Sequence, residues 1–133
     1  MVKEWVTESC CIGFRTSKGL MLDFDNMTQR KARRLAQALM KRYKLEGYLL
    51  IRSSEKNYHV VFNRYLRWKT ILMIVFSLVV CITWGVHQAR KGYLTLRISR
   101  KNNKNKPKIL RKVGKTDKLI SEYLRAYEFF VDF

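Results

Sequence analysis

From Thr70 to Val86 (TILMIVFSLVVCITWGV) the chain carries no Asp, Glu, Lys or Arg, although its formal charge is +18. No other stretch limits the fold as much, because most of it must leave water for either a bilayer or a protein core. As one helix it would reach about 25 Å at roughly 1.5 Å per residue, short of the roughly 30 Å hydrocarbon thickness of a bilayer. Arg67 and Lys69 precede it and Arg90 and Lys91 follow it, so a span would have little positive-inside asymmetry. Strand-like segments flank it, and a bilayer between them would leave neither half a core. The expectation is a buried core helix, with no membrane span and no membrane partner for it.

A chain of 133 residues that is 47% hydrophobic can build one real core, which predicts a single domain over 1–133 and excludes a multidomain enzyme. Lys and Arg number 28 against 10 Asp and Glu. Such an excess costs self-repulsion and points to a polyanionic partner, nucleic acid first and an acidic membrane second. The three cysteines, Cys10, Cys11 and Cys81, form neither a disulfide framework nor a C-x-x-C pair. With no secretory-type apolar core in MVKEWVTESCC, the expected setting is a reducing, intracellular, cytoplasmic one, without structural zinc.

Periodicity divides the rest. Cys10 to Thr16 reads as a strand, Ser17-Lys18-Gly19 as a turn, and GLMLDFD (Gly19 to Asp25) as a second strand. Ala32, Leu35, Ala36, Leu39, Met40 and Tyr43 then follow helical spacing, with Thr28 as N-cap and Gly47 just past the end. The outer face of this helix is cationic: Arg30, Lys31, Arg33, Arg34, Lys41 and Arg42. GYLLIRS (Gly47 to Ser53) and YHVVFNR (Tyr58 to Arg64) form a hairpin around Ser54-Glu55-Lys56-Asn57. Gly92 to Lys101 alternates, with Leu94, Leu96 and Ile98 inward and Thr95, Arg97 and Ser99 on the other face. A polar linker, Asn102 to Lys106, leads to an edge strand from Pro107 to Val113. A last helix, capped by Thr116 or Asp117, uses Leu119, Ile120, Tyr123, Leu124 and Tyr127 as its apolar face.

Two places carry chemistry. On a strand, Asp23 and Asp25 emerge on the same side, and two like charges one pleat apart suit a shared divalent cation. Mg²⁺ or Mn²⁺ takes such hard oxygen ligands and shares them with substrate phosphates; the alternative is an acidic turn leading into the helix. The second place is Arg52-Ser53-Ser54-Glu55-Lys56-Asn57-Tyr58-His59. A histidine opening a strand after a serine- and lysine-bearing turn is suited to holding phosphate. A structural histidine is the competing reading.

In that order, LDFD (Leu22 to Asp25), a basic helix, then Ser53-Ser54 leading to His59, the sequence resembles the archaeo-eukaryotic primase superfamily of primase-polymerases over roughly residues 10–110. The resemblance implies an α+β single domain: a mainly antiparallel RRM-like sheet of the primase catalytic-core type, backed by two or three helices. It also implies metal-dependent nucleotidyl transfer with Mg²⁺ or Mn²⁺, as in small archaeal viral and plasmid replication proteins. Asp23 and Asp25 would bind metal and act with His59 in catalysis. The family's third acid has no counterpart between His59 and Asp117. His87 falls in the expected region but no spacing places it beside Asp23, and Glu4, Glu8 or Asp132 would need a terminus to fold back.

Two functions follow. One is a minimal primase-polymerase-like enzyme of DNA replication, with Ser53, Ser54, Lys56 and Arg97 on the phosphates of a nucleoside triphosphate. The other is a non-catalytic protein on the same fold that binds DNA or RNA. Its backbone contacts would come from Arg30, Lys31, Arg33, Arg34, Arg100, Lys101 and Lys104. A haloacid-dehalogenase phosphatase would need a later acidic pair that the sequence lacks, and a rolling-circle nuclease would need a His-x-His pair.

Overall fold

Along the chain come β1 (Trp5–Glu8), β2 (Cys11–Thr16), β3 (Gly19–Phe24), α1 (Gln29–Arg42), β4 (Gly47–Ser54) and β5 (Asn57–Tyr65). Then follow α2 (Trp68–Phe76), a 3-10 turn (Val79–Cys81), α3 (Ile82–Lys91), β6 (Leu94–Arg97), β7 (Lys108–Gly114) and α4 (Lys118–Phe129). The computed structural model describes residues 5–8, 11–101 and 104–130. Cys10 of the expected first strand and Asn102 and Asn103 of the expected linker lie outside them.

The strands form two antiparallel sheets, β1-β2-β6 and β3-β5-β4-β7, giving one α+β unit. This differs from the single sheet and two or three helices expected. β1 is an additional strand, and breaking the apolar run supplies a fourth helix.

Register sets the faces of the larger sheet. Met21 pairs with Val61, Leu22 with Val60 and Asp23 with His59, while Leu49 pairs with Val61 and Leu50 with Val60. Met21, Leu49 and Val61 therefore share the side that bears Asp23 and His59, and Leu22, Leu50 and Val60 occupy the other. All six apolar side chains are fully buried, so both faces of the sheet are covered. This explains the near-continuous apolar runs of β4 and β5.

Helix α4 covers the Asp23 side. Asn63, two pleats beyond His59, donates from Nδ2 to the Asp117 carboxylate at the helix's N-cap (3.2 Å). The Tyr123 ring meets Phe14 of β2 edge-on at 5.3 Å, joining the two sheets. Helix α1 packs on β4 and β5 through buried Ala32, Ala36 and Leu39, and Thr28 Oγ1 accepts from the Lys31 N–H at 3.2 Å as expected for the cap. Gly47 is not the helix terminator: α1 ends at Arg42 with Tyr43 as its C-cap, and the reversal is made by Lys44 at φ 54°. Gly47 opens β4 instead, where β7 passes against its backbone.

The run 70–86 is not one buried helix. It breaks after Phe76, where the Ser77 hydroxyl folds back to donate to the Ile74 carbonyl at 2.6 Å. The chain then turns through Val79–Cys81 into α3, which extends to Lys91 and closes on Gly92 at φ 82°. Gly85 allows the two helices to meet, since a Cβ there would lie 2.7 Å from Val75 Cγ1. Folding back buries Ile71, Ile74, Val75 and Cys81 but leaves other apolar members of the run exposed. With Gly92 used as the helix stop, β6 is shorter than the alternating segment suggested. β7 does lie at a sheet edge, beside β4.

Candidate functional site

Strand pairing places the first two groups. Asp23, the penultimate residue of β3, lies directly across from His59 on β5, with Nε2 3.6 Å from Oδ1. Asp25 follows β3 and is exposed. The β4–β5 turn fixes the chain beyond it: the Lys56 carbonyl accepts from the Met27 N–H at 2.9 Å, and Asn57 Oδ1 accepts from the Asn26 N–H at 3.0 Å. Asn57 also donates to Ser54 Oγ at 2.7 Å, and Lys56 takes φ 61°. The serine turn is thus built into the loop that carries Asp25.

The Asp23–His59 contact has salt-bridge proximity but not salt-bridge charge. Burial, with the charge of Asp25 and a hydrogen bond to it, raises the Asp23 carboxyl to about 7 against the opposing pull of Lys104 and Arg97. Burial, then Arg97 and Lys104, lowers His59 to about 3. The imidazole is therefore neutral at physiological pH, and at 3.6 Å it is beyond direct hydrogen-bond range of the carboxyl. Behind them the Cys81 thiol, pushed up to about 12 mainly by burial, donates to the Asp23 carbonyl at 3.5 Å.

A cavity of about 240 Å³ opens onto these groups and is lined by Asp23, Asp25, Ser53, Ser54, Asn57 and His59. Its other walls come from Cys11 of β2, from β6 and the following loop (Thr95, Leu96, Arg97, Lys101, Lys104), and from α3 (His87, Gln88, Lys91). Four cations thus face two carboxyl groups, a balance that favours an anionic occupant.

Arg97 reaches the cavity, yet its guanidinium is engaged with backbone. Nη1 donates to the carbonyls of Ser99 and Asn105 (2.8 Å for the latter), and Nη2 donates to the Ser53 carbonyl. It fastens the loop bearing Lys101 and Lys104 to the end of β4. That is a positioning arrangement where direct phosphate contact was expected.

Of the residues singled out by sequence, Asp23, Asp25, His59, Ser53, Ser54, Arg97, Lys101 and Lys104 come together. Lys56 and Arg100 are exposed and do not line the cavity; Lys56 contributes its carbonyl to the turn. Arg30, Lys31 and Arg34 are exposed on α1 and Arg33 is half-buried, all outside the cavity. His87, Gln88 and Lys91 were missed as a group. They sit at i, i+1 and i+4, a spacing that marks one helical face once the apolar run is read as two helices. Gln88 is buried, with Oε1 accepting from the Thr95 N–H at 2.8 Å, and Lys91 Nζ donates to Thr95 Oγ1 at 3.2 Å.

Glu4 and Asp132 lie outside the described residues, and Glu8 ends β1 opposite Cys11. Among the described residues no group of three or more His, Cys, Asp or Glu side chains is placed to hold a metal ion. Comparison with known proteins finds no family model, no curated protein and no solved structure that matches this chain.

Proposed function

We propose that this protein is a small nucleotidyltransferase of the primase-polymerase kind, acting on nucleoside triphosphate and a nucleic-acid template. The observation that carries the reading is the pairing of Asp23 with His59 on neighbouring strands, facing one cavity with Asp25 and a cationic wall. The RRM-like sheet of that family belongs to the same proposal. Phosphoryl transfer asks a protein mainly for positioning and charge neutralisation, and this arrangement has the groups for both.

Asp23 and Asp25 suit a hard divalent cation, Mg²⁺ or Mn²⁺. They offer only carboxylate oxygens and are close enough to hydrogen-bond, and a cation would relieve the repulsion that a proton now relieves. When bound, such an ion supplies Lewis-acid polarisation of a phosphoryl oxygen and shares its coordination with substrate phosphate and water. His59, neutral and held by β5, offers an N–H to a phosphate oxygen in the appropriate tautomer. Ser53 and Ser54 offer hydroxyls. Lys91, Lys101 and Lys104 neutralise phosphate charge, while Arg97 holds the loop that presents the last two.

A second reading, a nucleic-acid-binding protein without catalysis, is favoured by the lack of a third metal-ligating side chain among the described residues. Template-dependent incorporation of labelled nucleotide with Mn²⁺ or Mg²⁺, in wild type and in Asp23→Asn/Asp25→Asn, separates the two. The enzyme reading expects incorporation that the double substitution abolishes, together with a Mn²⁺-induced rise in melting temperature seen only in wild type. Absent incorporation, with salt-sensitive DNA binding that the substitutions leave unchanged, means a binder.

A further inference from the structure

Seven large hydrophobic residues are exposed among the described residues, and five of them, Met73, Phe76, Val79, Ile82 and Val86, fall within the α2–turn–α3 hairpin. Val79 is 83% exposed and Met73 64%. Met73 and Phe76 are three apart on α2, Ile82 and Val86 four apart on α3, so each pair shares a helical face, and Val79 lies in the turn between them. The hairpin brings its halves together, since a Cβ on Gly85 would meet the Phe76 ring at 3.3 Å, which sets Phe76 of α2 against α3 at Gly85. A concentrated apolar surface of this kind marks a contact site rather than ordinary scatter. The cations lie at its ends: exposed Arg67 and Lys69 at the start of α2, exposed Arg90 at the end of α3. Between Lys69 and Arg90 there is no charge.

We propose that this hairpin docks on an anionic lipid surface, laying the apolar strip into the headgroup boundary. Charge decides among the occupants. A second copy would set +18 against +18. Nucleic acid would satisfy the cations but gives Val79 and Met73 no apolar partner. An anionic bilayer supplies both, hydrocarbon for the strip and negative headgroups for its basic ends. Trp68 and Trp84, half-buried on the same two helices, are of the residue type favoured at that depth. No helix among the described residues is long and apolar enough to cross a membrane, so the hairpin lies on the surface. The sequence alone predicts no membrane partner for this segment, and the docking face departs from that expectation, although an acidic membrane ranks second to nucleic acid on charge alone. This inference does not depend on the proposed nucleotidyl transfer.

Sedimentation of the full chain with phosphatidylcholine vesicles containing phosphatidylglycerol, and with phosphatidylcholine alone, tests it. Wild type is expected to partition onto the anionic vesicles at least about tenfold more strongly than onto the neutral ones. Met73→Gln/Val79→Gln, which leaves the net charge unchanged, is expected to lower that partition by about tenfold or more. Its circular dichroism and its salt-sensitive DNA binding should match wild type; Ile82→Gln/Val86→Gln is the second pair should the first fail to fold. Equal partition of wild type and variants would mean adsorption through charge alone and overturn the proposal. So would self-association that the substitutions abolish, or indifference of the wild type to the anionic vesicles, whether or not it binds an acidic amphipathic peptide.

Discussion

Asp23 and His59 face each other across β3 and β5, and burial shifts them in opposite senses, the carboxyl upward and the imidazole downward. Asp23 is raised from 3.8 to about 7, so the stability it lends is full below 3.8 and is lost as pH rises through 7. His59 is lowered from 6.5 to about 3, so its contribution is full above 6.5 and is lost as pH falls through 3. Between 3.8 and 6.5 the two slopes oppose, and the pair adds almost no pH dependence. Single substitutions should unmask them. His59→Gln is expected to lose stability as pH rises from 3.8 to 7, and Asp23→Asn to gain it from 3 to 6.5. Urea unfolding at successive pH values is the measurement; identical profiles for all three proteins would mean that folding does not shift the two groups in opposite senses.

Arg97 joins Ser53, Ser99 and Asn105 through three carbonyls, using the guanidinium as a fork. A lysine has one compact charge and cannot reproduce that geometry. Arg97→Ala should cost about 1.5–3 kcal/mol, the usual range for hydrogen bonds to a charged group, and Arg97→Lys should restore less than half. The loop from Lys101 to Lys106 should also become a preferred tryptic site. Unchanged stability and an unchanged digestion pattern would show that the fork does not hold the loop.

That Asp23 and His59 belong to one site was suggested by the resemblance, since the β3–β5 pairing is non-local; short-range rules reached only the surroundings of each. Period-two geometry put the acids on one face, and a hairpin with a tight polar turn made β5 start at a fixed distance from Ser53. The third wall of the cavity was not legible. It requires β6 to pair with β2, Gly13 against Arg97, which local pattern cannot foretell, and α3 to begin midway through an uncharged run. In that run every position is apolar or neutral, so no polar stripe marks which side faces water, and the break at Ser77 carries neither Pro nor Gly. The same lack of contrast concealed the exposed strip. Gly47 and Gly92 exchanged roles for a related reason, since a glycine signals permissive backbone without saying whether conformation or close approach requires it.

The outer face of α1 gives a prediction that concerns binding alone. Arg30, Lys31 and Arg34 are exposed within its first two turns and lie outside the cavity. If they contact phosphates, replacing all three by Gln should reduce the slope of log affinity against log salt by roughly 2–3, at about 0.7–0.9 for each phosphate no longer neutralised. Sequence preference should not change. Fluorescence anisotropy with duplex and single-stranded probes over a range of salt gives the slope, and an unaltered slope would leave α1 as a solvated face.

Gly47 tests how β7 closes the larger sheet. A Cβ at this position would stand 2.1 Å from the Lys115 carbonyl oxygen and 2.7 Å from that of Val113. Both obstacles are backbone, and the Lys115 N–H is already tied to the Glu46 carbonyl at 3.0 Å, so neither can yield without unpairing β4 from β7. Gly47→Ala should therefore cost about 2 kcal/mol or more, toward the upper part of the usual overpacking range. Gly92 is the contrast: it has φ 82° and nothing within 4 Å of a Cβ, so Gly92→Ala meets only the conformational penalty of about 1–2 kcal/mol. Gly92→Asn should recover part of that loss, because Asn tolerates the left-handed region, whereas Gly47→Asn should be at least as damaging as Gly47→Ala. Thermal unfolding of the four variants supplies the ranking, and a Gly47→Ala protein as stable as wild type would mean that β7 is not seated against β4.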